Sequence, residues 1–163
     1  MTIMRLSENV IKHSVGVAEF MADWAEKHYK YQLDPNEMYV LGLLHDIGKL
    51  YPNKDSNDKI SYKGHAEKGG RLLENLGYCR WREVAHHGHP EKPYWSVQLM
   101  VLNMADLSVD RNGNRCLIHT RLESIKYRYG ENSDEYQRAV KNVEELIKWK
   151  FLASDGTVVD TDE

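Results

Sequence analysis

Four histidines and two aspartates, His13, His45, Asp46, His65, His86 and Asp106, fall on the inner faces or at the ends of separate helical patterns. Several stand where an apolar side chain would be expected. A buried aspartate costs several kcal/mol unless it is paired or metal-bound, and a buried histidine needs partners for both ring nitrogens. A cation among the six would satisfy all of them. Imidazole and carboxylate together suit Fe, Mn, Zn, Co or Ni better than Ca or Mg, which prefer oxygen ligands. Cys79 and Cys116 lie too far apart for a paired-cysteine site, which argues against structural zinc. Adjacent residues on a helix point about 100° apart, so His45 and Asp46 can serve one site only if they straddle its side of the helix. With two oxygens, Asp46 could bridge two ions about 3.5–4 Å apart, a spacing that activates a water for in-line attack on phosphorus.

The elements that must position these groups are helical, because apolar residues recur at helical spacing almost throughout and period-two alternation is scarce. We expect an all-α bundle of six or seven helices. The first spans about Leu6 to Tyr29 with Val10, His13, Val17, Phe20 and Trp24 on its buried stripe. Asp34 caps a second, with Pro35 at its first position and Glu37 three residues after the cap, running to about Lys49. Met38, Leu41, His45 and Gly48 share its inner face. Tyr51 to Lys63 reads as a loop, Gly64 to Leu76 as a helix stopped by Gly77, and Arg80 to His86 as a short helix. Two prolines between Gly88 and Tyr94 forbid helix there, after which Ser96 caps Val97 to Leu107. Arg115 to Tyr129 and, capped by Ser133, Asp134 to Leu152 complete the set. Residues 1–152 are expected to form one domain and the acidic stretch 153–163 a frayed tail.

With 163 residues, 41% apolar and 29% charged, the chain has the balance of a soluble globular domain. No apolar run is long enough to span a bilayer and the N-terminus lacks a secretory stretch, so a cytoplasmic protein without a membrane partner is expected. A net charge of -3 offers no bulk attraction for polymeric nucleic acid. Phosphate-binding glycine loops, nucleophile elbows and HExxH helices are absent from the sequence.

The phrase Leu43-Leu44-His45-Asp46-Ile47-Gly48-Lys49, preceded by Lys12-His13-Ser14-Val15-Gly16-Val17-Ala18 and followed by Gly64-His65, His86-His87 and Ala105-Asp106, resembles the HD superfamily of metal-dependent phosphohydrolases. Six ordered matches are far more specific than one His-Asp pair. The resemblance implies that His13, His45, Asp46 and Asp106 hold one metal, Asp46, His65 and His86 a second, and that Asp46 bridges them. One or two divalent transition-metal ions are therefore expected, iron first, then Mn, Zn, Co or Ni. The chain looks most like the small bacterial enzymes that cut dinucleoside tetraphosphates symmetrically. In that branch an acidic residue, Pro and a nearby Arg follow the final Asp, whereas Leu107-Ser108-Val109-Asp110-Arg111 follows here. The expected partner is a small phosphorylated substrate, a nucleotide above all, and the resemblance points also to a homodimer. The same ligands would serve a mixed-valence di-iron oxygenase, and a non-catalytic nucleotide-binding module is a third reading.

Asp46 and Lys49 are the expected catalytic residues, and Lys49, His87 and Arg111 the expected substrate contacts. His86 and His87 compete for one ligand position; His86 is preferred because it ends the apolar helix pattern, leaving His87 to face the substrate. Lys49 could equally complement its helix dipole, and Arg111 and Arg115 could clamp phosphate or sit in water. His28, His89 and His119 read as surface or supporting residues. Tyr51, Tyr62, Tyr94 and Trp95 lie beside the loops expected around the metals and could stack on a base, while Trp24, Trp81 and Trp149 are expected to pack between helices.

Overall fold

The computed structural model describes residues 5–159 and is a bundle of seven α-helices. They are α1 (Glu8–Lys27), α2 (Pro35–Leu44), α3 (His65–Asn75), α4 (Trp81–His86), α5 (Val97–Leu107), α6 (Ile118–Tyr129) and α7 (Asp134–Lys148). Caps set most of the starts. The Ser7, Ser96 and Ser133 hydroxyls accept from the backbone N–H of Val10, Leu99 and Tyr136, and the Asp34 carboxylate accepts from Asn36 and Glu37. The expected loop from Tyr51 to Lys63 holds a two-stranded antiparallel hairpin, β1 (Asn53–Lys54) against β2 (Ile60–Ser61).

α5 is the central helix. Every residue from Leu99 to Ala105 is buried, as a helix that is apolar nearly all round must be. α1 and α2 pack against each other so closely that a Cβ on Gly42 would lie 2.7 Å from the Ala18 Cα, so glycine is what lets the two backbones meet. α1 carries its expected stripe: Val10, His13, Val17, Phe20 and Trp24 are all buried. So are Met38, Leu41, His45 and Gly48.

The second helix differs from expectation. It stops at Leu44, five residues early, and the chain turns through His45 and Asp46 into a 3-10 segment, Ile47–Leu50. The cause is local. The His45 Nδ1–H donates to the Gly42 carbonyl at 2.6 Å, occupying the acceptor that a continuing helix would offer to the Asp46 N–H. The 3-10 segment then presses on the start of α3, where a Cβ on Gly48 would stand 1.8 Å from the His65 carbonyl oxygen.

Three other expectations change. His28 is buried, stacked on Trp24, with its ring nitrogens on the Trp24 and Val159 carbonyls. Beyond α7, Phe151 and Leu152 enter the core and Leu152 bridges Val158, so residues 153–159 fold back on the body where fraying was expected; 160–163 lie outside the described residues. Trp149, expected to pack between helices, is instead half exposed beside Trp95. No described helix is long and apolar enough to cross a membrane.

Candidate metal centre

Five pieces of backbone bring the site together. α1 supplies His13 from its buried stripe, the turn after α2 supplies His45 and Asp46, and the first residue of α3 is His65. The C-terminus of α4 supplies His87, and the last turn of α5 supplies Asp106.

His87 takes the place expected for His86. α4 ends at His86, whose Nδ1–H donates to the Arg82 carbonyl while its ring lies against Tyr94, 4.8 Å between centroids. The backbone leaves the helix at His87 (φ -61°, ψ 139°) and turns that imidazole into the cluster, 97% buried by its 3% exposure. Its Nε2 is 3.2 Å from the His65 Nε2 and 3.4 Å from an Asp46 oxygen. His86 is therefore corrected to a neighbour of the site. Tyr94, engaged by it, does not face the cavity.

One arrangement repeats at all four cluster histidines. Nδ1 of His13, His45, His65 and His87 sits on the backbone carbonyl of Asp110, Gly42, Tyr62 and Val84, at 2.9, 2.6, 3.0 and 2.6 Å. A carbonyl only accepts, so each Nδ1 carries a proton and each Nε2 is the inward face of its ring. The His13 Nε2 lies 2.7 Å from Asp106 Oδ1, and the His45 Nε2 3.3 Å from Asp46 Oδ2 and 3.5 Å from Asp106 Oδ1. The His65 Nε2 is 3.1 Å from Asp46 Oδ1. Asp46 thus offers one oxygen to His45 and the other to His65 and His87, the division a bridging carboxylate needs.

These donors fit a metal ion. The His45 Nε2 is fully buried without a hydrogen-bond partner, and two imidazole lone pairs 3.2 Å apart at His65 and His87 repel unless something positive lies between them. Ligand atoms about 2.1 Å from a first-row ion stand about 3.0–3.4 Å from one another, close to the spacings here. Among the described residues the groupings able to hold a metal all fall in this cluster: His13, His45 and Asp46; His45, His87 and Asp106; Asp46, His65 and His87.

The electrostatics agree. Burial pushes both carboxylates up, yet His45 and Lys49 around Asp46, and His13 and His45 around Asp106, hold both well below the usual carboxylate range. Burial alone would drive the His45 imidazolium down; the facing carboxylates outweigh it and raise its pKa to about 10. Without a metal the cluster therefore keeps a proton at its centre. Burial, then the charges of His45 and His65, lower His87.

The cluster opens into a cavity of about 730 Å³. Lys49 reaches it from the 3-10 segment, with Nζ 3.2 Å from Asp46 Oδ2 and lying over the Tyr62 ring. Arg111 lines it, as does His89, which is bonded to Glu91. Arg115 does not: it pairs with Asp23 and stacks on Phe20. His119 is exposed. Of the aromatic candidates Tyr62 lines the cavity and, with Tyr51, an adjoining one, whereas Trp95 lies on neither. Sequence reasoning missed Arg121, Arg128, Arg138 and Asn103, which also line the cavity. Asn103 stands one turn before Asp106 on α5, and its Oδ1 accepts the Gly88 N–H at 2.9 Å, holding the backbone just after His87.

Comparison with known proteins agrees with this geometry. No curated protein and no solved structure matches the chain. The family model described as "HD domain" matches residues 10–149, which takes in every residue of the cluster. A family whose members are mostly metal-dependent hydrolases thus accounts for a buried His and Asp centre on these helices, and the chain belongs to the HD domain family.

Proposed function

We propose that the protein is a metal-dependent phosphohydrolase acting on a nucleotide, with a dinucleoside polyphosphate the first candidate. The observation that carries this reading is the fourfold Nδ1–carbonyl arrangement, which turns the Nε2 of His13, His45, His65 and His87 onto Asp46 and Asp106. Two divalent transition-metal ions, iron first, suit the donor set. His13, His45, Asp46 and Asp106 would hold one, and Asp46, His65 and His87 the other. Such ions, when bound, lower the pKa of a water toward neutrality and draw charge from phosphoryl oxygens.

The chain's own residues do the rest. Lys49, with Nζ already beside Asp46 Oδ2, is placed to take a phosphoryl oxygen at the cluster, and Arg111 can hold a further oxygen by its planar fork. Tyr62, under the Lys49 ammonium and between two cavities, offers a face for a base. A cavity of about 730 Å³ lies within the range of about 300–1,000 Å³ usual for small-molecule sites. Its cationic lining favours an anionic substrate, which is why hydrolysis at phosphorus is preferred to oxygen activation on the same ligands.

The test is product analysis after incubating metal-loaded protein, beside Asp46→Ala, with diadenosine tetraphosphate and a panel of nucleotides. ADP from the tetraphosphate, lost in the variant, is the expected result. Mononucleotide cleavage alone would keep the chemistry and change the substrate. Metal-loaded protein that yields no product from any of them would refute the hydrolase reading.

A further inference from the structure

The wall of the cavity formed by α6 and α7 carries a charge that the metal cluster does not need. Arg121, Ile125 and Arg128, at helical spacing on α6, line it together with Arg138 and Asn142 of α7, and Arg111 joins them from the turn after α5. This is a concentration of like charge in a chain whose net charge is -3. None of the four arginines has a carboxylate within ion-pair distance among the described residues, although Glu8 and Glu135 also line the cavity. The Arg121 Nε is buried and has no hydrogen-bond partner. Loss of hydration at the cavity wall, and the nearby charges of Arg111 and Arg121, hold the exposed Arg128 guanidinium below its ordinary pKa, so these groups are close enough to repel.

Like charges gathered without an ion-pair partner destabilise the free protein even with Glu8, Glu91 and Glu135 in the neighbourhood, and a multivalent anion across several forks would relieve the repulsion and satisfy the orphaned donor. We propose that Arg111, Arg121, Arg128 and Arg138 form a second anion subsite in the cavity, separate from the His and Asp cluster, that selects substrates bearing a further phosphoryl group beyond the one attacked. The selection rests on the hydrolase reading above; the subsite itself does not. An isolated monophosphate occupies one of the two places, and a polyphosphate chain occupies both.

The test is calorimetric titration of metal-free protein with inorganic tripolyphosphate, for the wild type, Arg128→Gln, Arg138→Gln and the control Arg71→Gln. Arg71 sits off the cavity, paired with Glu67 on α3, and its loss changes net charge by the same amount. Each cavity variant is expected to weaken binding about tenfold, with the control within about twofold of wild type. Arg128 is exposed, so its replacement spares the core, and relief of repulsion should leave the metal-free Tm of Arg128→Gln unchanged or higher. A residue with a merely structural role would lower it. Wild-type affinity in both cavity variants, or equal weakening in all three, would overturn the subsite. Arginine-dependent binding by a protein that, metal-loaded, cleaves no phosphate ester would instead overturn the hydrolase reading and leave the subsite standing.

Discussion

Gly48→Ala adds one methyl group at the point where the 3-10 segment meets α3. The new Cβ would lie 1.8 Å from the His65 carbonyl oxygen and 2.7 Å from the Gly69 N–H nitrogen, both backbone atoms that no rotamer change can move. The two elements must part by more than an ångström. Overpacking in a core costs about 1–3 kcal/mol, and a collision with backbone belongs at the upper end. For a chain of this size about 3 kcal/mol corresponds to a fall in Tm of roughly 6–12 °C. The displacement also has a direction. It carries His65, whose Nε2 is 3.1 Å from Asp46 Oδ1, away from the half of the cluster that it shares with His87, while His13, His45 and Asp106 sit on other elements. Differential scanning calorimetry with metal analysis of the purified variant should therefore show a lowered Tm and reduced metal content, with the Asp46–His65–His87 half affected most. An unchanged Tm with full metal content would refute the claim that this glycine sets the register of the site.

Lys49→Met keeps the methylene stem and removes the ammonium that faces Asp46 and the cavity. Steady-state kinetics should show kcat/KM down about 10–100-fold, mostly through KM, with metal content retained; a change within twofold would remove Lys49 from substrate binding. In the metal-free protein the His45 pKa is raised to about 10, so a metal must displace that proton at any lower pH. Apparent metal affinity should then rise with pH, by up to about tenfold per unit between pH 7 and 9, and level off above 10. Titrations giving the same affinity across that window would show that no such proton is held.

Much of the fold is legible in the sequence because the local signals are strong: Asp34-Pro35, Ser96 and Ser133 mark helix starts, and Val10, His13 and Val17 share a stripe on spacing alone. The departures occur where side chains act on backbone. His45 and His87 each take a carbonyl three residues back and end their own helices, which helical periodicity cannot anticipate. That is also why His86 looks like the ligand from sequence: its phase on α4 is definite, whereas the direction of His87 depends on a backbone that has already left the helix. Arg121, Arg128 and Arg138 lie on amphipathic helices whose polar faces are read as solvated until α6 and α7 are seen to wall a cavity. His28 was legible only with Val159, 131 residues away, folded back onto it.

His87, not His86, turns into the candidate metal centre beside His13, His45, Asp46, His65 and Asp106. Metal content per chain, measured by plasma mass spectrometry on wild type, His86→Ala and His87→Ala after identical loading and desalting, tests it most directly. Wild-type content in His86→Ala and loss of about one ion in His87→Ala are expected. Loss in His86→Ala with full retention in His87→Ala would contradict that placement of His87.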